Sequence, residues 1–122
     1  MVLTATYLEK VKEIIKNQII NNYSYGAIGT GTTAASSSDT QLENEVLRKA
    51  RQEYTEGSNY IVCSLYVSSV EANGNTITEH GWFDSSSGGN MWNRFVFSGI
   101  NKTSDIELWF DVKIEWTVEE ES

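Results

Sequence analysis

The side chains able to do chemistry are few, and their spacing does not gather them. One histidine, His80, follows Glu79, a pair that could serve acid–base work or hold a metal. A lone imidazole without a second ligand or a positioned nucleophile supports neither, so a structural role is the expectation. The single cysteine, Cys63, sits on the apolar alternation of a strand, where a buried, inert thiol is expected. One cysteine also excludes an intrachain disulfide and a multi-cysteine metal site. The stretch YGAIGTGTT, ending at Thr33, lacks the lysine of a phosphate loop and the spacing of a dinucleotide fingerprint, so it reads as a glycine-bearing strand and turn. Asp84-Ser-Ser-Ser-Gly88 lacks the repeated acidic ligands of a calcium loop. The carboxylates of the last strand, with Glu119, Glu120 and Glu121, read as solvated charges. The expectation is a chain with no catalytic residue, no cofactor and no metal.

The aromatic residues offer more. Trp82, Trp92, Trp109 and Trp116 all fall in the second half. Trp116 shares the apolar face of the last strand, whereas Trp109 points away from its neighbour Phe110 and so suits an interface. Exposed indoles anchor subunit contacts and stack on sugars equally well. A sugar platform would use Trp82, Trp92 and Trp109, with Asp84 and Asn90 as polar partners.

These residues need elements to position them. Leu3, Tyr7, Leu8, Val11, Ile14, Ile15 and Ile19 recur at helical spacing over residues 1–22, and Asn21-Asn22 supplies a stop. Residues 23–33 suit a strand, followed by a Gly/Ser/Thr loop. Thr40-Gln-Leu-Glu43 has the form of a capping box and predicts a short second helix. From Arg48 to Tyr54 either a continued helix or a strand turning back at residues 56–59 fits, with the helix preferred. From residue 59 to 119 the pattern is β: a strand through Ile61, Cys63, Leu65 and Val67, an Asn73-Gly74 hairpin signal, a return strand over 76–83, a polar loop, and a strand over 91–97. Alternation from Ile106 to Val118 predicts a last strand of about 40 Å. The fold class expected is α+β: an antiparallel sandwich-like sheet with a long amphipathic N-terminal helix and a short second one, in one domain spanning 1–122.

Composition narrows the partners. The 122 residues carry nine Lys+Arg against 17 Asp+Glu, for a net charge of −8. That balance argues against nucleic acid, which selects clustered cations, and against anionic membranes. The N-terminus lacks a basic region followed by an apolar run, so no signal peptide is expected.

Two segments resemble a known family. GTGTTAASSSDTQLENEVLRK (29–49) is similar to a segment of small structural proteins of tailed phages and archaeal viruses. Glu79-His-Gly81-Trp-Phe83-Asp84, then Gly89-Asn-Met91 and Arg94, resembles the E-x-G-L-F-D…G-x-L pattern of phage tail-fibre and tail-collar proteins, with Trp82 in the place of Leu. Lys102 and the last strand fall where that pattern has a lysine and a final strand. The resemblance implies a component of the virion, made in the host cytoplasm, and brings no catalytic residue. The expected partners are copies of this chain and other virion proteins, with Leu8, Val11, Ile15 and Trp109 at subunit contacts. The alternative is a carbohydrate-binding module for host glycans.

Overall fold

A computed structural model describes residues 2–118. It contains one helix, α1 (Ala5–Asn22), and seven strands: β1 (Tyr25–Gly29), β2 (Glu45–Ala50), β3 (Glu53–Glu56), β4 (Tyr60–Val67), β5 (Thr76–Phe83), β6 (Met91–Asn101) and β7 (Leu108–Glu115). The class is α+β, with two antiparallel sheets ordered β2-β1-β5-β6 and β3-β4-β7. Residues 119–121, whose carboxylates the sequence reading placed in a solvated tail, lie outside the described residues.

Helix α1 starts where the Thr4 hydroxyl accepts the Tyr7 N–H, 3.2 Å away. Its last turn is closed from a distance. The Arg51 guanidinium donates to the carbonyls of Ile20 and Tyr23, at 2.8 and 2.7 Å, satisfying groups that no intrahelical N–H reaches. The two sheets share one apolar core. Ile28, Ile77 and Trp82 of the first meet Ile61, Cys63, Leu65, Val67 and Val112 of the second, with Ile19 from the helix.

Five sequence expectations are corrected. The short second helix does not form. Glu43 does use its carboxylate to accept backbone N–H groups, but those of Thr32 and Thr33 rather than a helix start. Its own amide and that of Asn44 are taken by the side chain of Glu79. With those groups committed, the chain extends into β2, and Arg48 to Tyr54 becomes strand, corner and strand. Asn73-Gly74 does not close a hairpin, because β4 and β5 belong to different sheets. Gly74 adopts φ +85° in a crossover whose amide donates to the carbonyl of Lys102. The buried Lys102 ammonium ties that crossover down through the Asn73 side chain, 2.7 Å away. The strand beginning at Met91 runs on to Asn101 rather than ending at Phe97. The last strand covers eight residues, not thirteen, since only Leu108–Glu115 find partners on β4.

Strand β5 is enclosed on both faces. The inner face packs into the shared core, and the outer face is covered by the segment between β1 and β2, whose Leu42 packs with Ala27 and Phe83. On the other side of the molecule, β6 and β7 are the terminal strands of their sheets and bear free edges.

Candidate functional site

Beyond an irregularity between Ile77 and Glu79, alternation along β5 sends consecutive residues to opposite faces. Glu79 therefore looks outward under the 30–44 segment and His80 inward toward the second sheet.

Glu79 is fully buried and completely paired. Oε2 accepts the N–H groups of Gly31 and Asn44 at 2.7 and 2.8 Å. Oε1 accepts the N–H of Glu43 at 2.9 Å and Nε of Arg94 at 3.0 Å. Arg94 continues the network, its Nη1 donating to Asp39 at 3.0 Å. Burial alone would raise the Glu79 pKa, but the bonds from Asn44, Glu43, Arg94 and Gly31 outweigh it and hold the carboxyl below its ordinary value. This explains the paired glycines of GTG. A Cβ on either Gly29 or Gly31 would stand 2.5 Å from Oε2, so the backbone approaches the carboxylate only without a side chain. The carboxylate spends every lone pair on anchoring a loop, and Glu79 itself does not face solvent.

His80 is different. It is 4 % exposed, and its Nδ1 lies 2.9 Å from the carbonyl oxygen of Ala27. A carbonyl only accepts, so Nδ1 carries the proton and Nε2 is left as a lone-pair acceptor. Nε2 is buried without a partner. Burial pushes the pKa down to about 4, against the Ala27 bond, which favours the charged ring. The imidazole stacks on Phe110 at 4.9 Å and on Phe95 at 6.2 Å, and meets Trp82 edge-on at 5.5 Å.

That ring forms part of the wall of a cleft of about 390 Å³ between the free edges of β6 and β7, lined also by Phe95, Phe97, Ile100, Trp109, Phe110 and Asp111. Phe95 is 45 % and Trp109 52 % exposed. Such a concave, mostly aromatic site with few polar groups has the character of a binding site. It has no nucleophile beside a base, and among the described residues no three metal-ligating side chains converge.

The sequence-predicted residues fall as follows. Trp109 lies outside the core, on the face opposite Phe110, its ring 4.9 Å from Tyr66. Trp82 is fully buried, so it cannot be a sugar platform. Its place opposite Asn93 on the inner face commits its ring to the core beside Tyr23 and His80. Trp92 is exposed, but it lines a separate polar hollow with Ser36, Ser37, Asp39 and Arg94. The three indoles thus form no common surface. Asp84 and Asn90 do meet: Asp84 accepts both the Asn90 backbone N–H and its side-chain amide, at 2.8 and 3.0 Å, and the Trp92 indole as well. They brace the loop that carries Trp92. On the helix, Ile15 packs on the core while Leu8 and Val11 are half-buried. Cys63 is buried, and burial pushes its thiol pKa up despite Arg51 nearby.

Sequence reasoning missed Phe95, Phe97 and Phe110 as cleft walls and Glu79 and Arg94 as an anchor. The period-two placement of Phe95 and Phe97, and of His80 and Trp82, was the available signal, but strand pairing decides what those faces meet. No protein-family model matches the chain, and no curated protein matches it.

Proposed function

We propose that the chain is a non-catalytic structural subunit of a virus particle, on the tail as fibre or collar or on the capsid surface, joined to copies of itself and to other virion proteins. The observation that carries the assembly part is the helix. Ile19 is buried and Ile15 packs on the core, yet Tyr7 is 54 % and Ile14 62 % exposed. At about 100° per residue, Tyr7, Val11 and Ile14 continue the apolar stripe past the part this chain covers. A second copy presenting the same stripe is the occupant that closed symmetry supplies most simply. The virion part rests on the resemblance in residues 29–49 and 79–94. In this reading the two sheets, which share Ile28, Leu65 and Trp82, are the halves of a sandwich, and the free edges of β6 and β7 are further surfaces for neighbours.

Absolute mass by light scattering on a sizing column tests it. The expected result is a discrete oligomer that Tyr7→Glu with Ile14→Glu reduces to the 13.7 kDa chain while the circular dichroism is retained. A wild-type monomer at every concentration would count against assembly through the helix.

One observation favours carbohydrate binding as a second reading. Trp92 is exposed with its indole bonded to Asp84, and Ser36, Ser37, Asp39 and Arg94 surround the hollow beside it. A flat apolar face beside hydrogen-bonding side chains is how proteins hold sugar rings. Binding on a glycan array, lost in Trp92→Ala and kept in Trp109→Ala, is the result that would select it.

A further inference from the structure

The cleft between β6 and β7 has a one-sided polarity. Its walls are the rings of Phe95, Phe97, Trp109 and Phe110, whose faces carry partial negative charge. Its polar side chains are Asp111, which is exposed, and His80, whose Nδ1 is held by Ala27 and whose Nε2 is buried. The Trp109 indole N–H is the one side-chain donor in the lining. No lysine or arginine lines it, and Arg51, Arg94 and Lys102 are committed elsewhere: Arg51 to helix carbonyls, Arg94 to Glu79 and Asp39, Lys102 to Asn73. The whole chain carries a net charge of −8.

An apolar occupant would leave Asp111 uncompensated, and an anion would meet a carboxylate. A cation with N–H donors suits every wall. We infer that this cleft binds an organic cation: the guanidinium or ammonium end of an arginine or lysine side chain presented by a protein partner. The charged head lies over the rings of Trp109 and Phe95, where cation–π attraction acts, and donates to the Asp111 carboxylate. The surrounding negative charge speeds the encounter with a basic partner. The inference is independent of the helix-mediated assembly, since the two surfaces share no residue.

The test uses the full chain and three small probes: Nα-acetyl-arginine amide, its neutral isostere Nα-acetyl-citrulline amide, and methyl glucoside. Nitrogen-15 spectra of the His80 ring and the Trp109 indole report binding. Saturable shifts at both groups are expected with the arginine probe, with binding about tenfold weaker for citrulline, for Trp109→Ala and for Asp111→Asn. Trp92→Ala is expected to leave binding unchanged. Because Trp109 and Asp111 are exposed, both variants are expected to fold, which unchanged circular dichroism checks. Absence of a saturable shift into the millimolar range overturns the proposal. So does equal binding of citrulline, which would make charge irrelevant, or a shift with methyl glucoside alone, which would make the cleft a sugar site.

Discussion

Glu79 and His80 are neighbours on one strand, both buried and both titratable, and they meet opposite fates. Glu79 faces a loop, accepts four hydrogen bonds and fixes residues 30–44 in place. His80 faces a cleft, makes one hydrogen bond and keeps a second nitrogen unpaired between aromatic rings. Burial raises the pKa of one and lowers that of the other, because in each case it disfavours the charged form. Only Glu79 receives enough donors to overcome this and stay ionised. A buried polar group with all its partners holds structure, whereas the His80 ring, with one nitrogen unpaired, is held mainly by the aromatic rings around it.

The largest expected effect breaks the first region. Glu79→Ala leaves Arg94 with Asp39 alone and strands three N–H groups, and is expected to cost about 3–5 kcal/mol in denaturant unfolding, as for a broken buried pair. An unchanged midpoint would show that the loop is held by something else.

Acid titration sharpens the contrast next. His80 has a folded pKa of about 4 against 6.5 unfolded, so its contribution is full above 6.5 and is lost as pH falls toward 4. At about 1.4 kcal/mol per unit that is about 3 kcal/mol. Glu79 has a depressed pKa, so its contribution is present above the ordinary carboxyl range and is lost at lower pH, as its folded pKa is crossed. Stability measured against pH is therefore expected to fall in two stages. His80→Phe is expected to remove the first stage and keep the second. A variant that retains the decline between pH 6.5 and 4 would assign it to other groups.

Gly31→Ala tests the close approach without touching a charge. Its Cβ would meet Glu79 Oε2 and the Glu43 side chain, an overpacking expected to cost about 1–3 kcal/mol. Gly74, open to solvent at positive φ, offers the control in which only backbone strain acts. Smallest of all is Trp109→Ala, expected to change stability by less than about 1 kcal/mol since its ring meets little beyond Tyr66. A larger loss would move Trp109 from the candidate binding surface into the structural group.

The legible parts of the fold were those in which local chemistry and long-range packing agree. Helix α1 ends at Asn22, where the paired asparagines stop the apolar period, and β5 spans residues 76–83 as the alternation indicates. The illegible parts were those in which a distant side chain takes over local groups. Thr40 to Glu43 has the chemistry of a helix start, and Glu79 captured the amides of Glu43 and Asn44 from 36 and 35 residues away. Asn73-Gly74 has the chemistry of a hairpin, but the chain crosses between sheets and the turn bonds to Lys102 instead. Trp82 and Trp109 are alike in type and both were candidates for a sugar platform; strand pairing alone put one inside and the other out.

By itself, the sequence determined what depends on residues close together: a helix with one apolar stripe, a β-rich remainder, one histidine, one thiol and an excess of negative charge. It also contained the glycines at 29 and 31 without revealing what they make room for. Only the tertiary structure decided which strands pair, and through that which face of β5 is sealed by a loop and which opens on a cleft. The reason is physical. Side-chain alternation specifies two faces of a strand, but the partner on each face is chosen by contacts among residues tens of positions apart, and only those contacts give Glu79 its donors and leave His80 without one.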